Sequence, residues 1–259
     1  MPDFLDVLAR DAKETIDSGY YEVPAQTGSC HVSLREAIVR CANAPVITEI
    51  KAASPSAGII KESFEAGRIA RAMEEGGAVG ISVLTEPKHF KGSLESLVET
   101  REVVKLPVLM KDTIIIPEQL EAASKAGANA ALLIQAFFDR GYCECTVEEM
   151  IKKAHSENLE VLLETRTKEE FCSAIESEAD LIGINNRNLG TLKVDLNVTK
   201  KILKNNGTNG KIVVSESGIK TSADIHFLRE CGANAFLIGS AIMLSDDVEV
   251  KVRELVKSL

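Results

Sequence analysis

The sequence is poor in aromatic side chains and in positive charge. Aromatic residues make up 4% of its 259 residues, with three tyrosines and no tryptophan, and the formal net charge is −9. Proteins that bind nucleic acids need a basic face for the phosphates or aromatic rings for base stacking. The composition therefore argues against nucleic acid as a partner.

Long apolar runs are also missing. No stretch approaches the roughly 18 apolar residues that cross a bilayer. The N-terminal segment carries acidic residues early and has no apolar stretch typical of a secretory signal. We therefore expect no membrane partner and a cytoplasmic location, where thiols stay reduced.

The six cysteines and four histidines form no pattern typical of a metal site. Cys143 and Cys145 lie close in sequence, but such a pair alone is weak evidence for a metal ion. Small buried thiols and isolated imidazoles are the simpler interpretation. The sequence predicts no metal site.

A repeated unit fills the chain from residue 46 onward. In each unit a short apolar run precedes a polar loop and a segment with helical periodicity. Because the runs are apolar almost throughout, both faces of their sheet must be covered by helices. Eight such units in roughly 210 residues predict an α/β fold, the (β/α)8 TIM barrel. The predicted strands are 46–51, 80–84, 108–111, 130–135, 161–164, 181–185, 212–216 and 235–239.

An internal repeat supports the barrel. The stretch GANAALLI begins at Gly127, and GANAFLI begins at Gly232, four units later. A half-barrel repeat would produce this echo, and a chance match is the alternative. The main alternative fold is an open doubly wound sheet, which usually has fewer strands and a G-x-G-x-x-G turn after the first one. No such turn follows the first predicted strand here.

We predict one domain over residues 1–259, with residues 1–45 as an N-terminal helical extension. The spacing Ser33 to Glu36 is typical of a capping box before a short helix. The helices of the extension either close the barrel floor or fold over its mouth, and the sequence leaves both open. The first of these helices is predicted by an apolar stripe at Phe4, Leu5, Leu8, Ala12 and Ile16.

Polar and charged residues end five of the predicted strands, at the end of a barrel that carries chemistry. Glu49 and Lys51 are two apart, so they face the same side of the first strand. One polar residue at a strand end is usually just solvated, but five strands that end alike favour a site with shifted pKa values. The other members are Lys111, Glu164, Asn185, Arg187, Glu216 and Ser217.

Glycines after the last two predicted strands indicate an anion site. Gly218 follows the seventh strand, and Gly239 and Ser240 end the eighth. Backbone N–H groups there, ahead of a helix, suit a phosphate group. Ser54 adds a hydroxyl and Arg187 a charged fork. A plain Gly-Ser turn is the alternative. For Phe90, an aromatic contact with substrate and simple packing at the rim are equally good interpretations.

These segments closely resemble the indole-3-glycerol phosphate synthase family. The resemblance spans nearly the whole barrel in the right order. At Arg166, just past the fifth strand, the family more often has a histidine. The matching segments are EIKAASPSAG at 49–58, SVLTEPKHFKGSLESL at 82–97, PVLMKD at 107–112, LLE at 162–164, GINNRNLGTLKVDL at 183–196, SESGI at 215–219 and FLIGSAIM at 236–243.

The resemblance implies a carboxy-lyase of tryptophan biosynthesis. Its substrate would be 1-(2-carboxyphenylamino)-1-deoxyribulose 5-phosphate, which closes a pyrrole ring and loses carbon dioxide and water. Lys111 would protonate the ketone, and Glu164 would take a proton in the final dehydration. Lys51 would bind the substrate carboxylate, held charged by Glu49. Which lysine acts in which step stays open.

The remaining site residues follow from the same resemblance. It implies no cofactor, and it leaves open contact with other enzymes of tryptophan biosynthesis. Asn185, Glu216 and Ser217 would orient hydroxyls and lysines, and the phosphate would be bound by Ser54, Arg187, Gly218, Gly239 and Ser240.

Three alternative functions are compatible with the barrel fold. A phosphosugar isomerase on this barrel would use a cysteine on the first strand and an aspartate on the fifth. A Schiff-base aldolase would place a lysine late in the barrel, typically on the sixth strand, which here ends in Asn185 and Arg187. A catalytically inactive binding module would be expected to have lost some of the candidate groups. Fold alone separates none of these.

Overall fold

The computed structural model describes residues 3–24, 32–54, 58–61, 64–204 and 206–259. Its strands alternate with helices from residue 46 onward. The strands are β1 (Val46–Ile50), β2 (Ala53–Ser54), β3 (Gly58–Ile59), β4 (Gly80–Leu84), β5 (Val108–Lys111), β6 (Ala130–Ile134), β7 (Glu160–Thr165), β8 (Leu181–Asn185), β9 (Ile212–Glu216) and β10 (Ala235–Ile238).

Eight of these strands close into a parallel barrel. Their order around it is β1-β10-β9-β8-β7-β6-β5-β4, and β4 pairs with β1 to complete the circle. The short β2 and β3 form a separate antiparallel pair after β1. The predicted (β/α)8 barrel is confirmed, and the open doubly wound sheet is wrong because no barrel strand is left with a free edge.

Two helices precede the barrel, and the others follow its strands along the chain. The helices are α1 (Phe4–Asp17), α2 (Leu34–Arg40), α3 (Ala66–Glu75), α4 (Leu94–Val103), α5 (Pro117–Lys125), α6 (Gln135–Asp139), α7 (Val147–Ser156), α8 (Lys168–Ile175), α9 (Asn197–Leu203), α10 (Ser222–Glu230), α11 (Ser240–Met243) and α12 (Val248–Val256). Within the described ranges, none of them is both long and apolar enough to cross a membrane.

Two apolar clusters explain the continuous apolar strands. Alternate strand residues point inward and fill the barrel, as Ile47, Leu109 and Leu162 do. Their neighbours point outward and pack against the helices, as Val46 and Met110 do. Each strand is therefore apolar on both faces, in contrast to the alternation of a half-solvated sheet.

The two described helices of the N-terminal extension lie at opposite ends of the barrel. Phe4 and Leu8 of α1 line the cavity at the carboxyl ends of the strands. At the other end, the Ser33 hydroxyl and the Leu34 N–H, at the start of α2, both donate to Glu160, the first residue of β7. The extension therefore covers the mouth with α1 and closes the floor with α2.

Salt bridges tie α1 to the loops around the mouth. The Lys88 ammonium lies 2.6 Å from Glu14, and the His89 ring nitrogen lies 2.7 Å from Asp11. At the start of α1, the Arg140 guanidinium lies 2.8 Å from Asp3. The helix is thus attached to the loop after β4 and to the segment after α6.

The structure differs from the predicted elements in a few places. Gln135 begins α6 and does not extend β6, and Lys51 lies just after β1. The pairing of β2 with β3 was not predicted, because two-residue strands carry no periodic signal. Most other strand bounds agree to within one residue.

Candidate active site

The carboxyl ends of the barrel strands surround one cavity of about 610 Å³. The ring of charged residues predicted from the sequence meets there, because parallel strands deliver their last residues to the same end of the barrel. The cavity is lined by most of the site residues predicted from the sequence, both charged and uncharged. They are Glu49, Lys51, Phe90, Lys111, Glu164, Asn185, Arg187, Ser217, Gly218, Gly239 and Ser240.

Two predicted residues stand apart from the lining. Glu216 is fully buried and is connected to the cavity through its salt bridge with Lys111. The backbone of Ser54 belongs to β2, but its side chain lies outside the described residues, so its phosphate contact stays a prediction.

The two lysines are held by buried carboxylates. Lys51 Nζ lies 2.5 Å from Glu49 Oε1. Lys111 Nζ lies 3.3 Å from Glu49 Oε2 and 2.9 Å from Glu216 Oε2. Glu49 therefore contacts both lysines, and Lys111 is fixed between two carboxylates from opposite parts of the sequence.

The charges of this cluster stabilise one another. Burial disfavours the Glu49 anion, but Lys51 and Lys111 outweigh it and lower the pKa of Glu49 to about 2. Burial likewise disfavours the Lys111 cation, but Glu216, Glu49 and Glu164 raise the pKa of Lys111 above its ordinary value. The cationic, hydrogen-bond-donating form of Lys111 is therefore favoured.

Glu164 has the opposite environment. Burial, and then the nearby Glu216 carboxylate, raise the pKa of Glu164 to about 8, although Lys111 and the amide of Asn185 act in the other direction. Asn185 Nδ2 donates to Glu164 Oε1 at 2.9 Å, while Asn185 Oδ1 accepts from the Arg187 N–H at 2.9 Å. A carboxyl group that titrates near neutral pH suits transfer of a proton in either direction.

Gly183 lets the two carboxylates lie close together. A Cβ atom at this position would collide with Glu216 Oε1 and would lie 3.2 Å from the Cα of Glu164. Glu216 Oε1 is buried and accepts no hydrogen bond from any described residue. Glu216 Oε1 therefore lies beside Glu164 as an acceptor without a donor, which favours a proton on Glu164.

The residues predicted to form an anion site after the last two strands line the same cavity. Ser217 and Gly218 both have left-handed backbone conformations, with φ of 68° and 86°. Consecutive turns of this kind concentrate backbone N–H groups into an anion-binding concavity. The helix after Gly239 is α11, which is four residues long. If an anion binds here, we therefore expect the backbone turn to contribute more than the short helix.

The side chain of Arg187 lies beside this wall. It is half-buried, and its Nη1 donates to the Leu192 carbonyl at 3.2 Å. Burial lowers the pKa of Arg187, an effect that Glu49 opposes. The bond to Leu192 is the one hydrogen bond that the Arg187 side chain makes to a described residue, and a guanidinium group has five N–H donors, several of which could bind an anion.

Part of the lining of the cavity is an apolar wall. Phe90 lines the cavity and also packs against the inner apolar cluster, so both of its predicted roles are compatible with its position. The other apolar members of the wall come from α1, β6 and the loop after β8. They are Phe4, Leu8, Leu132, Ile134, Leu189 and Leu192.

Two acidic residues of the cavity were missed by the sequence analysis. The Glu86 carboxylate accepts N–H bonds from Lys88, His89 and Phe90 and so shapes the loop after β4. Asp112 follows Lys111 directly, and burial raises its pKa to about 7. Both belong to segments that resemble the family, at 82–97 and 107–112. The signal that would have found them is their position just after β4 and β5.

The described residues hold no cluster of metal ligands. Within them, no three histidine, cysteine or acidic side chains are arranged to hold a metal ion. The described cysteines, including Cys143 and Cys145, are free thiols. Cys30 and His31 lie outside the described residues.

Comparison with solved structures shows the fold. A thiamine phosphate pyrophosphorylase from Pyrococcus furiosus superposes with a TM-score of 0.60 over 87% of this chain and 97% of that chain, at 19% identity. An N-acetylmannosamine-6-phosphate 2-epimerase from Clostridium perfringens gives a TM-score of 0.60 over 84% and 94%, at 17% identity.

Comparison of sequences is more specific. An indole-3-glycerol phosphate synthase from Methanocaldococcus jannaschii is 44% identical over 82% of this chain and 77% of the relative. One from Oceanobacillus iheyensis is 38% identical over 94% of this chain and 89% of the relative. The model of the family described as indole-3-glycerol phosphate synthase matches residues 7–255. The chain therefore belongs to the indole-3-glycerol phosphate synthase family.

Proposed function

We propose that this protein is a carboxy-lyase of tryptophan biosynthesis that converts 1-(2-carboxyphenylamino)-1-deoxyribulose 5-phosphate into indole-3-glycerol phosphate. Membership of the family supports the activity. The observation that carries the proposal is the convergence of Lys51, Lys111 and Glu164 on one cavity that also contains the turn at Gly218. A substrate with a carboxylate, a ketone and a phosphate needs those groups together.

The first step forms the carbon–carbon bond. The ring carbon that bears the carboxylate attacks the ketone carbon, and the ketone oxygen takes a proton from Lys111. Lys111 is suited to this role because Glu49 and Glu216 keep it protonated and fixed in direction. A positioned acid contributes typically ~10²–10⁴-fold to such a step.

Decarboxylation and dehydration then complete the pyrrole ring. The carboxylate leaves as carbon dioxide, and its bonding electron pair restores the aromatic ring. The new hydroxyl leaves as water after it gains a proton from a lysine, and Glu164 accepts the proton lost from the ring. Lys51, paired with Glu49 at 2.5 Å, is placed to neutralise the substrate carboxylate before it leaves.

The state of the lysines argues against the aldolase alternative. A lysine that forms a Schiff base must be neutral to attack a carbonyl group. Lys111 lies 2.9 Å and 3.3 Å from two carboxylates, which favour its cationic form. The isomerase alternative needs a cysteine on the first strand, where Glu49 and Lys51 stand instead.

Phosphate binding is assigned to Arg187 and to the backbone around Gly218, Gly239 and Ser240, with Ser54 as a further hydroxyl. We also propose that residues 1–259 act as one domain, since Phe4 and Leu8 of the extension contribute to the cavity wall. The cytoplasmic location and contact with other enzymes of tryptophan biosynthesis stay predictions.

The decisive experiment is a direct assay. The purified protein is supplied with the carboxyphenylamino-deoxyribulose phosphate, without added metal or cofactor, and indole fluorescence is followed. Release of carbon dioxide, measured in parallel, reports cleavage of the bond between the ring carbon and the carboxylate. Stoichiometric formation of both products supports the proposal, whereas isomerisation of the sugar without indole would favour the isomerase, and no reaction would favour the inactive module.

A further inference from the structure

Arg166 joins the ends of two strands beside the site. Its Nη1 donates to the main-chain carbonyl of Asn185 at 2.8 Å, so the end of β7 is tied to the end of β8. Its own N–H donates to Glu170 Oε2 at 2.6 Å. Arg166 is not among the described residues that line the cavity. It therefore acts on the reaction, if at all, through its neighbours.

The neighbour that matters is Asn185. Arg166 holds the backbone of this residue, and the side chain of the same residue donates to Glu164 Oε1 at 2.9 Å. Asn185 is buried, at 5% exposure, and its amide oxygen is occupied by the Arg187 N–H. The amide therefore has one available orientation, and Arg166 fixes the main chain from which that amide extends.

The charge of Arg166 acts on Glu164 directly as well. Burial lowers the pKa of Arg166, and the carboxylates of Asp195, Glu170 and Glu164 oppose this effect. Glu164 in turn faces the anion of Glu216 and the cation of Lys111. Arg166 is thus a second positive charge near Glu164, and it favours the ionised carboxylate against the effect of Glu216.

We propose that Arg166 is a positioning residue for Glu164, which fixes the Asn185 amide and supplies a positive charge that favours the ionised carboxylate. In its effect on catalysis this inference rests on the proposed function, where Glu164 accepts a proton. Its effect on Glu164 itself does not, because the contacts exist in the free protein.

The test compares Arg166→Gln, which removes the charge, with Arg166→Lys, which keeps it. Arg253→Gln is the matched control, since Arg253 pairs with Glu249 on the exposed face of α12. The titration of Glu164 is followed in the free protein by carbon-13 NMR of labelled carboxyl groups, with Glu164→Gln to assign the signal. The pH profile of kcat/KM is measured for the same proteins.

We expect Arg166→Gln to raise the pKa of Glu164 by about 0.5–1 unit, as loss of a nearby cation requires. Its kcat/KM at neutral pH should fall about 3- to 10-fold, with the rising limb of the profile moved to higher pH by the same 0.5–1 unit. Arg166→Lys should recover most of both changes, and Arg253→Gln should change neither.

Two results would overturn the inference. One is a folded Arg166→Gln protein whose Glu164 titrates as in the parent. The other is an Arg166→Lys protein shifted as far as Arg166→Gln. Because the NMR titration needs no substrate, a parent protein without turnover would refute the proposed function while this test still gave an answer.

Discussion

Glu49 is the acceptor shared by the two lysines of the mouth, with Oε1 at 2.5 Å from Lys51 Nζ and Oε2 at 3.3 Å from Lys111 Nζ. This carboxylate is 4% exposed and ionised, so it fixes the separation of the two lysine nitrogens. The arrangement explains how a chain of net charge −9 presents cations to an anionic substrate. It also means that changes around Glu49 affect both lysines together.

Removal of the proposed acid is the first test. Lys111→Ala should lower kcat by about 10²–10⁴-fold, because the ketone oxygen would lose its proton donor. Lys125→Ala, on the exposed face of α5, is the control and should keep the parent rate. Steady-state kinetics with circular dichroism checks both. Near-parental turnover in a folded Lys111→Ala protein would remove Lys111 from the mechanism.

The pH profile tests the role of Glu164. Glu164 must be ionised to accept a proton, so kcat/KM should rise with pH through about 8, the pKa that burial and Glu216 give this group. In Glu216→Gln a neighbouring anion is lost, the ionised form of Glu164 becomes easier to reach, and the rising limb should move to lower pH. A limb that stays in place in that variant would contradict the coupling of these two carboxyl groups.

Gly239→Ala tests how closely the backbone approaches the Glu49–Lys51 pair. The added Cβ would collide with Glu49 Oε1 and would lie 2.8 Å from Lys51 Nζ. The third neighbour, Glu49 Cβ, would lie 3.0 Å away. Because the two closest neighbours are ends of side chains, they can move, so we expect kcat/KM to fall about tenfold or more, with a smaller effect on melting temperature. Gly207→Ala is the control, since a Cβ there meets only Asn209 Oδ1 at 3.9 Å. Equal effects of the two variants would contradict the prediction.

Arg187→Ala tests the phosphate site. Loss of hydrogen bonds to a charged group costs about 1.5–3 kcal/mol, which corresponds to a rise in KM of about 10- to 100-fold. The change in kcat should be smaller, because the phosphate does not react. Inorganic phosphate should also inhibit the variant more weakly than the parent. An unchanged KM and an unchanged inhibition constant would place the phosphate elsewhere.

Leu8→Ala tests the contribution of α1 to the cavity. Leu8 is 2% exposed and lines the apolar wall, so its truncation should raise KM about 3- to 10-fold. It should also lower the free energy of unfolding by about 2 kcal/mol or more, since a buried leucine leaves a void. Val39→Ala, at an exposed position on α2, should do neither. Kinetics and urea unfolding provide the two measurements.

Local sequence patterns are enough to predict the barrel and most members of the candidate site. The apolar runs specify strands buried on both faces, and parallel strands that close into a barrel must deliver Lys51, Lys111 and Glu164 to one end. These conclusions follow from local patterns, because strand periodicity and strand-end chemistry are properties of a few consecutive residues.

Which of these groups contact each other depends on the closed barrel. The contact of Lys111 with both Glu49 and Glu216, the gap at Gly183 beside Glu164, and the link from Arg166 to Asn185 each join residues on different strands. No local pattern carries such a contact, because it exists only once the barrel has closed. The position of α1 over the mouth had the same origin: its apolar stripe predicts a buried face but not the surface that buries it.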